Sequence, residues 1–221
     1  QAAEIKVIAG PEKHSRVIPE HERRLTAWHE AGHAVVMHAL PDQDPVSQIT
    51  IVPRGRAGGM TISLPEEDRS YLSKRYMEDQ IVALLGGRVA EKLCLGDIST
   101  GASNDIQRAS QIARKMVATY GMSDRIGTVS FESGHDEVFI GRTMTQGRSY
   151  SEAVAAQIDE EVKALVQRSY DRCESILRDN RRKLDTVAQY LLEHETMDQE
   201  AFLAVFDEKP APPAEDAADS Q

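Results

Sequence analysis

Cysteine is scarce: this 221-residue chain holds two, Cys94 and Cys173. Two are too few for a disulfide framework or a cysteine-built zinc cluster, so they read as free, buried thiols of a reducing compartment. Basic charge is also short. Lys and Arg number 26 against 36 Asp and Glu, a formal net charge of −10, which argues against a nucleic-acid binder because phosphate recognition needs clustered cations. Long apolar runs are missing, and segments such as Ile81–Leu85 are only about five residues long. Nothing spans a bilayer or reads as a signal peptide, which points to a soluble fragment. No glycine precedes a lysine, so there is no Gly-x-x-x-x-Gly-Lys-Ser/Thr loop to hold ATP. What remains is 40% hydrophobic and 28% charged, the balance of a folded domain with enough chain to bury a core.

Periodicity predicts a mainly α fold with a small β-sheet, an α+β architecture. Residues 1–19 read as a linker, residues 20–206 as the folded domain, and residues 207–221, rich in proline and acid, as a disordered tail. A helix is expected from about Glu22 to Leu40, stopped by Pro41 and Pro45. Ile49 and Ile51 with their neighbours, then Met60–Leu64, read as a hairpin around a turn at Arg54–Gly59. Helices are expected at Arg69–Leu95 and Asn104–Tyr120, with two short strands at Thr128–Phe131 and Val138–Ile140. From Ser151 the pattern is helical almost to the end: a C-terminal helical hairpin followed by a short helix at Ala201–Phe206.

The chemistry lies in His29-Glu30-Ala31-Gly32-His33. Residues four apart share a helix face, so both imidazoles reach one ion, and Glu30 reaches a water beside it without binding the metal. Gly32 costs about 1 kcal/mol against alanine inside a helix and marks close approach by another backbone or a ligand. A catalytic zinc site needs a third protein ligand. The metzincin extension requires glycine at position 36 and histidine at position 39, where this chain has Val36 and Ala39. His38 lies about 140° around the helix from His33 and reads as a packing or surface histidine. Two carboxylates remain. Asp105 opens a helix, where an ordinary first-turn aspartate is also common; Glu91 sits at the edge of an apolar face, where an ordinary surface ion pair is equally expected. Spacing alone does not choose between them. Arg54, Arg56, His135 and His194 read as solvated residues, and Trp28 and Tyr76 as core.

The zinc motif is followed in order by Ile51-Val-Pro-Arg-Gly-Arg56, Leu64-Pro-Glu-Glu-Asp68, Leu85-Gly-Gly-Arg88 and Ser99-Thr-Gly-Ala-Ser-Asn-Asp105. Together they resemble the peptidase domain of the FtsH family of membrane-anchored AAA+ zinc proteases, from about Val7 to Phe206. The resemblance implies a zincin-type active-site helix, one Zn²⁺ held by His29, His33 and Asp105, and Glu30 as catalytic base. It implies that substrate backbone lies along Gly59, Met60, Thr61, Ile62 and Ser63. It further implies unfolded or membrane protein substrates fed by an ATPase missing here, with ATP bound only in that region. Homohexamers at the cytoplasmic face of a bacterial inner membrane, tethered by segments also missing, complete the expectation. The rival readings are a non-catalytic, zinc-stabilised oligomerisation module and a stand-alone zinc peptidase of short peptides.

Overall fold

Helix α1 (Glu20–Ala39) is the central rod of the molecule. In the computed structural model, which describes residues 18–53, 57–65, 69–131 and 150–207, its residues Ala27–Gly32 and Ala34–Val36 are all buried. Such burial on every side is why its pattern is only weakly amphipathic. Glu20 and Glu22 sit at its positive end, and Leu40 leaves it in an extended conformation before Pro41. His38 packs against Phe202 and Phe206, as its angle around the helix predicts.

Helix α2 (Lys74–Ala90) lies directly on α1. A Cβ at Gly32 would come within 2.5 Å of the Gly86 carbonyl oxygen and of the Ala90 Cβ, and one at Gly86 within 2.8 Å of the Gly32 carbonyl. The two backbones therefore touch, which is the close approach Gly32 signalled. Ser73 caps α2 by accepting the Tyr76 N–H. The helix begins later than its apolar pattern suggested because Tyr71 and Leu72 stand exposed in the preceding loop. At its far end the chain loosens into a π-helical turn, Glu91–Leu95, closed by left-handed Gly96. A short 3₁₀ turn, Thr100–Ala102, leads into α3 (Ser103–Ala118).

The C-terminal half clasps this pair. α4 (Glu152–Asp179) runs along α2 and α3, and α5 (Arg181–His194), joined to it at Asn180, packs on α1. Trp28, buried as expected, donates to Asp185 of α5 at 3.0 Å. Cys173 is buried and Cys94 half-buried, both free. Tyr76 is half-buried beneath the Arg69 guanidinium.

The sheet is antiparallel with order β2-β1-β3. β1 (Val46–Thr50) pairs with β2 (Met60–Ser63) on one side and with β3 (Thr196–Asp198) on the other. Ile49 faces Thr61 and Met197 across the ladders and is fully buried. β3 interrupts the expected run of helices: Glu195 takes a positive φ of 62°, ends α5, and sends the chain back to the sheet before α6 (Gln199–Asp207). Thr128–Phe131 is not a strand. It is irregular backbone following left-handed Gly127, with the Phe131 N–H bonded to the Ala118 carbonyl and its ring on Tyr150. Its expected partner Val138–Ile140, the linker before residue 18 and the acidic tail after Asp207 lie outside the described residues. So do Arg54, Arg56 and His135.

Overpacking at the α1–α2 contact should be felt by the whole domain. Gly32→Ala is expected to lower stability by about 1–3 kcal/mol, read as a shift of the urea unfolding midpoint.

Candidate metal centre and active site

His29 and His33 project from one face of α1 with their Nε2 atoms 3.1 Å apart. Each ring is fixed from behind. His29 Nδ1 lies 2.7 Å from Glu91 Oε1, and His33 Nδ1 lies 2.8 Å from the Ala83 carbonyl. A carbonyl only accepts, so His33 carries its proton on Nδ1 and presents a bare lone pair at Nε2. Glu91 favours the same tautomer in neutral His29. Asp105 Oδ2 approaches to 3.4 Å and 3.6 Å of the two Nε2 atoms. With both imidazoles neutral, three acceptors thus converge, all within 4.8 Å of one another. Two imidazoles and a carboxylate form a donor set suited to zinc.

Without a metal, a proton serves as the cation. Burial works against charging His29, but hydrogen bonds to Asp105 and Glu91 and the nearby Glu30 charge prevail, raising its pKa to about 9. Burial works against ionising Asp105, but hydrogen bonds to His29 and His33 and their charge hold its carboxyl far below the usual range.

Glu30 is 7% exposed, and burial pushes its carboxyl pKa up against the pull of His33, His29 and Thr61. The Thr61 hydroxyl lies 2.9 Å from Glu30 Oε2 and 3.0 Å from the Glu30 carbonyl, which ties the carboxylate to β2. Gly59 permits that closeness: a Cβ there would sit 2.9 Å from Glu30 Cγ.

Glu91 is fully buried rather than a surface residue. Beyond His29, it accepts the Ser99 N–H at 2.7 Å and the Ser99 hydroxyl at 3.1 Å. These donors keep it ionised despite burial. Arg88 in turn donates to the Ser99 carbonyl at 2.8 Å. Glu91 therefore braces His29 and the loop that leads to Asp105, and stands behind the converging acceptors rather than among them. Gly87 supplies a further element: a Cβ there would lie 2.4 Å from His29 Cε1, so the imidazole rests on bare backbone. Sequence reading assigned no role to Gly87 or the Ser99 hydroxyl; the Gly-Gly pair within a helix is the signal that marks the first.

The acceptors open into a cleft of about 840 Å³. β2 forms one wall and the start of α3 the other. Gly59, Met60, Thr61 and Ser63 line it, whereas Ile62 turns its side chain into the core. β2 is bonded on one side only, by β1, so its cleft-side edge has no partner strand among the described residues. His194 lies outside this constellation, exposed and against Tyr190.

The profile of Peptidase family M41 matches residues 16–205. The chain belongs to that family. It is 58% identical over 201 residues to "ATP-dependent zinc metalloprotease FtsH 2" of Alkaliphilus metalliredigens, covering 91% of this chain and 29% of the relative. It is 56% identical to "ATP-dependent zinc metalloprotease FtsH 1" of a Thermoanaerobacter species and 54% identical to "ATP-dependent zinc metalloprotease FtsH" of Caldicellulosiruptor bescii. Each covers 91% of this chain and 33% of the relative. The chain thus spans about a third of the curated relatives it matches, and its mainly α fold with a small sheet is that of an M41 peptidase domain.

The raised pKa of His29 fixes a pH dependence for the chelator-treated protein. Its extra stability is fully present below the unfolded value of 6.5 and is lost as pH rises through about 9. By linkage the loss is on the order of 3 kcal/mol. The melting temperature of the metal-free chain should therefore fall between pH 6.5 and 9, and His29→Gln should flatten that slope.

Proposed function

We propose that this chain is a zinc endopeptidase domain that hydrolyses unfolded polypeptides, with His29, His33 and Asp105 as metal ligands and Glu30 as general base. The observation that carries the reading is the convergence of three acceptors beside a buried carboxylate of raised pKa. A zinc ion there supplies Lewis acidity, acidifying a water and polarising a peptide carbonyl. The protein's own part is proton handling. Thr61 holds Glu30 Oε2, and the carboxyl, which lines the cleft, takes a proton from water as the C–O bond forms. The same carboxyl then delivers that proton to the amine nitrogen as the C–N bond breaks. A base whose pKa is lifted by burial holds a proton more readily between the two transfers.

β2 offers main-chain hydrogen bonds to an extended substrate through Gly59, Met60, Thr61, Ile62 and Ser63. Such pairing is the same for every peptide and fits degradation with little sequence preference. The relatives' names, ATP-dependent zinc metalloprotease, support delivery by an ATPase region outside this chain, where ATP binds. The family resemblance of the sequence motifs supports the wider reading: a homohexamer acting on unfolded and membrane proteins at the cytoplasmic face, tethered by membrane segments outside residues 1–221. Among the described residues no helix is long and apolar enough to cross a membrane. A purely structural zinc site has no use for a buried acid fastened one residue past its first ligand, which disfavours the assembly-module reading.

Glu30→Gln should keep zinc at one equivalent per chain yet slow digestion of an unfolded protein by about 10²–10⁴-fold; wild-type cleavage by this variant would sink the mechanism. Metal analysis separates the two carboxylates. Asp105→Ala should lose stoichiometric zinc, whereas Glu91→Ala should retain it with roughly 10–100-fold weaker affinity.

A further inference from the structure

The two walls of the cleft differ in charge as well as in structure. On the β2 wall Thr61 fastens Glu30. On the α3 wall Asp105 turns toward the imidazoles, and Arg108 follows three residues later, on the same side of the helix. Arg108 is the one lysine or arginine among the described residues lining the cleft. Its side chain is exposed and makes no hydrogen bond or ion pair with any described residue. Nearby arginines are all engaged: Arg69 with Asp44, Arg75 with Asp42, and Arg88 with the Ser99 carbonyl. Asp105, the acid that Arg108 would ordinarily pair with at this spacing, faces both imidazoles instead. A permanent cation thus has no partner among the described residues on the wall opposite the base.

Opposite the base is where negative charge develops during peptide hydrolysis. Glu30 takes a proton from water on the β2 side. The water oxygen bonds to the carbonyl carbon, and the π pair moves onto the carbonyl oxygen, which swings away from the attacking face. When the C–N bond breaks, that pair re-forms the C=O bond and the proton on Glu30 passes to the amine. Resting on the peptidase reading above, we propose that Arg108 is a catalytic residue that donates hydrogen bonds to this oxygen as it becomes anionic. The guanidinium stays protonated throughout, so it contributes charge and N–H donors and no proton. Its donors are mobile and solvent-exposed, so the effect should be smaller than that of a rigid buried donor.

The test uses the full 221-residue chain, zinc-loaded, as wild type, Arg108→Met, Arg108→Lys and Glu30→Gln. Zinc content and unfolding midpoint of the Arg108 variants should match wild type. With a fluorogenic peptide, Arg108→Met should lower kcat by roughly 10–100-fold, below the 10²–10³ of a preorganised donor, with KM changed less than twofold. Arg108→Lys should recover part of the loss. A phosphinate peptide, whose tetrahedral anion resembles the charged intermediate, should bind Arg108→Met more weakly by a factor parallel to the fall in kcat; that measurement needs no turnover. Unchanged kcat and phosphinate affinity overturn the assignment. So does a rise in KM with kcat retained, which marks a ground-state substrate contact, or a loss of zinc, which marks a structural role. The Glu30→Gln arm keeps the two readings apart: if it is inactive while Arg108→Met is fully active, only the Arg108 role fails, and if it remains active the peptidase reading itself has failed.

Discussion

The contact between the backbones of Gly32 and Gly86 sets the geometry of everything that follows. With no side chain between them, α1 and α2 lie closer than ordinary helix packing allows. That distance brings the Ala83 carbonyl to His33, puts the bare backbone of Gly87 beneath the His29 ring and delivers Glu91 to His29 Nδ1. Alanines at positions 27, 31, 34, 83 and 90, all buried, continue the same economy of volume. The two helices bury little apolar bulk where they meet, and the surrounding α4 and α5 supply it with Leu165, Leu177, Leu184 and Leu191.

A buried carboxylate is costly unless its lone pairs are satisfied. Glu91 is satisfied by one imidazole and by both donors of Ser99, with the Arg88 guanidinium 3.9 Å away. The arrangement joins two parts of the site that are distant in sequence. One oxygen orients His29, and the same residue anchors the loop that opens α3 and so places Asp105. The π-helical turn is the local device that achieves it, since one wide turn re-aims residues relative to a regular helix, and such turns are frequent at functional sites.

The His-Glu-x-x-His helix was legible in the sequence because its period and spacing are local properties, and Gly32 declared its close contact for the same reason. The hairpin was visible through its alternating residues and glycine turn. Choosing between Asp105 and Glu91 required more than spacing. Asp105 opens one helix and Glu91 is expected at the edge of another's apolar face, yet both reach the histidines, one at the Nε2 side and one at Nδ1; only the direction of approach differs, which no periodicity encodes. β3 was hidden because three residues carry no pattern and because its signal is a left-handed glutamate where glycine is usual. Thr128–Phe131 misled for the converse reason: its residues favour strands, yet its described neighbours offer Phe131 a helix-end carbonyl at Ala118 instead of a ladder.

β3 has a temporal implication. The central strand β1 is bonded on both sides only when residues 196–198 are present, and buried Thr50 finds the Glu195 carbonyl and the Thr196 hydroxyl there. Those partners leave the ribosome about 146 residues after Thr50 does. A growing chain therefore holds the zinc motif and the strand beside it long before the sheet that stiffens them can close. The architecture withholds a closed sheet from the strand beside the motif until residues 196–198 have been made, so this wall of the cleft stiffens later than the helix it faces.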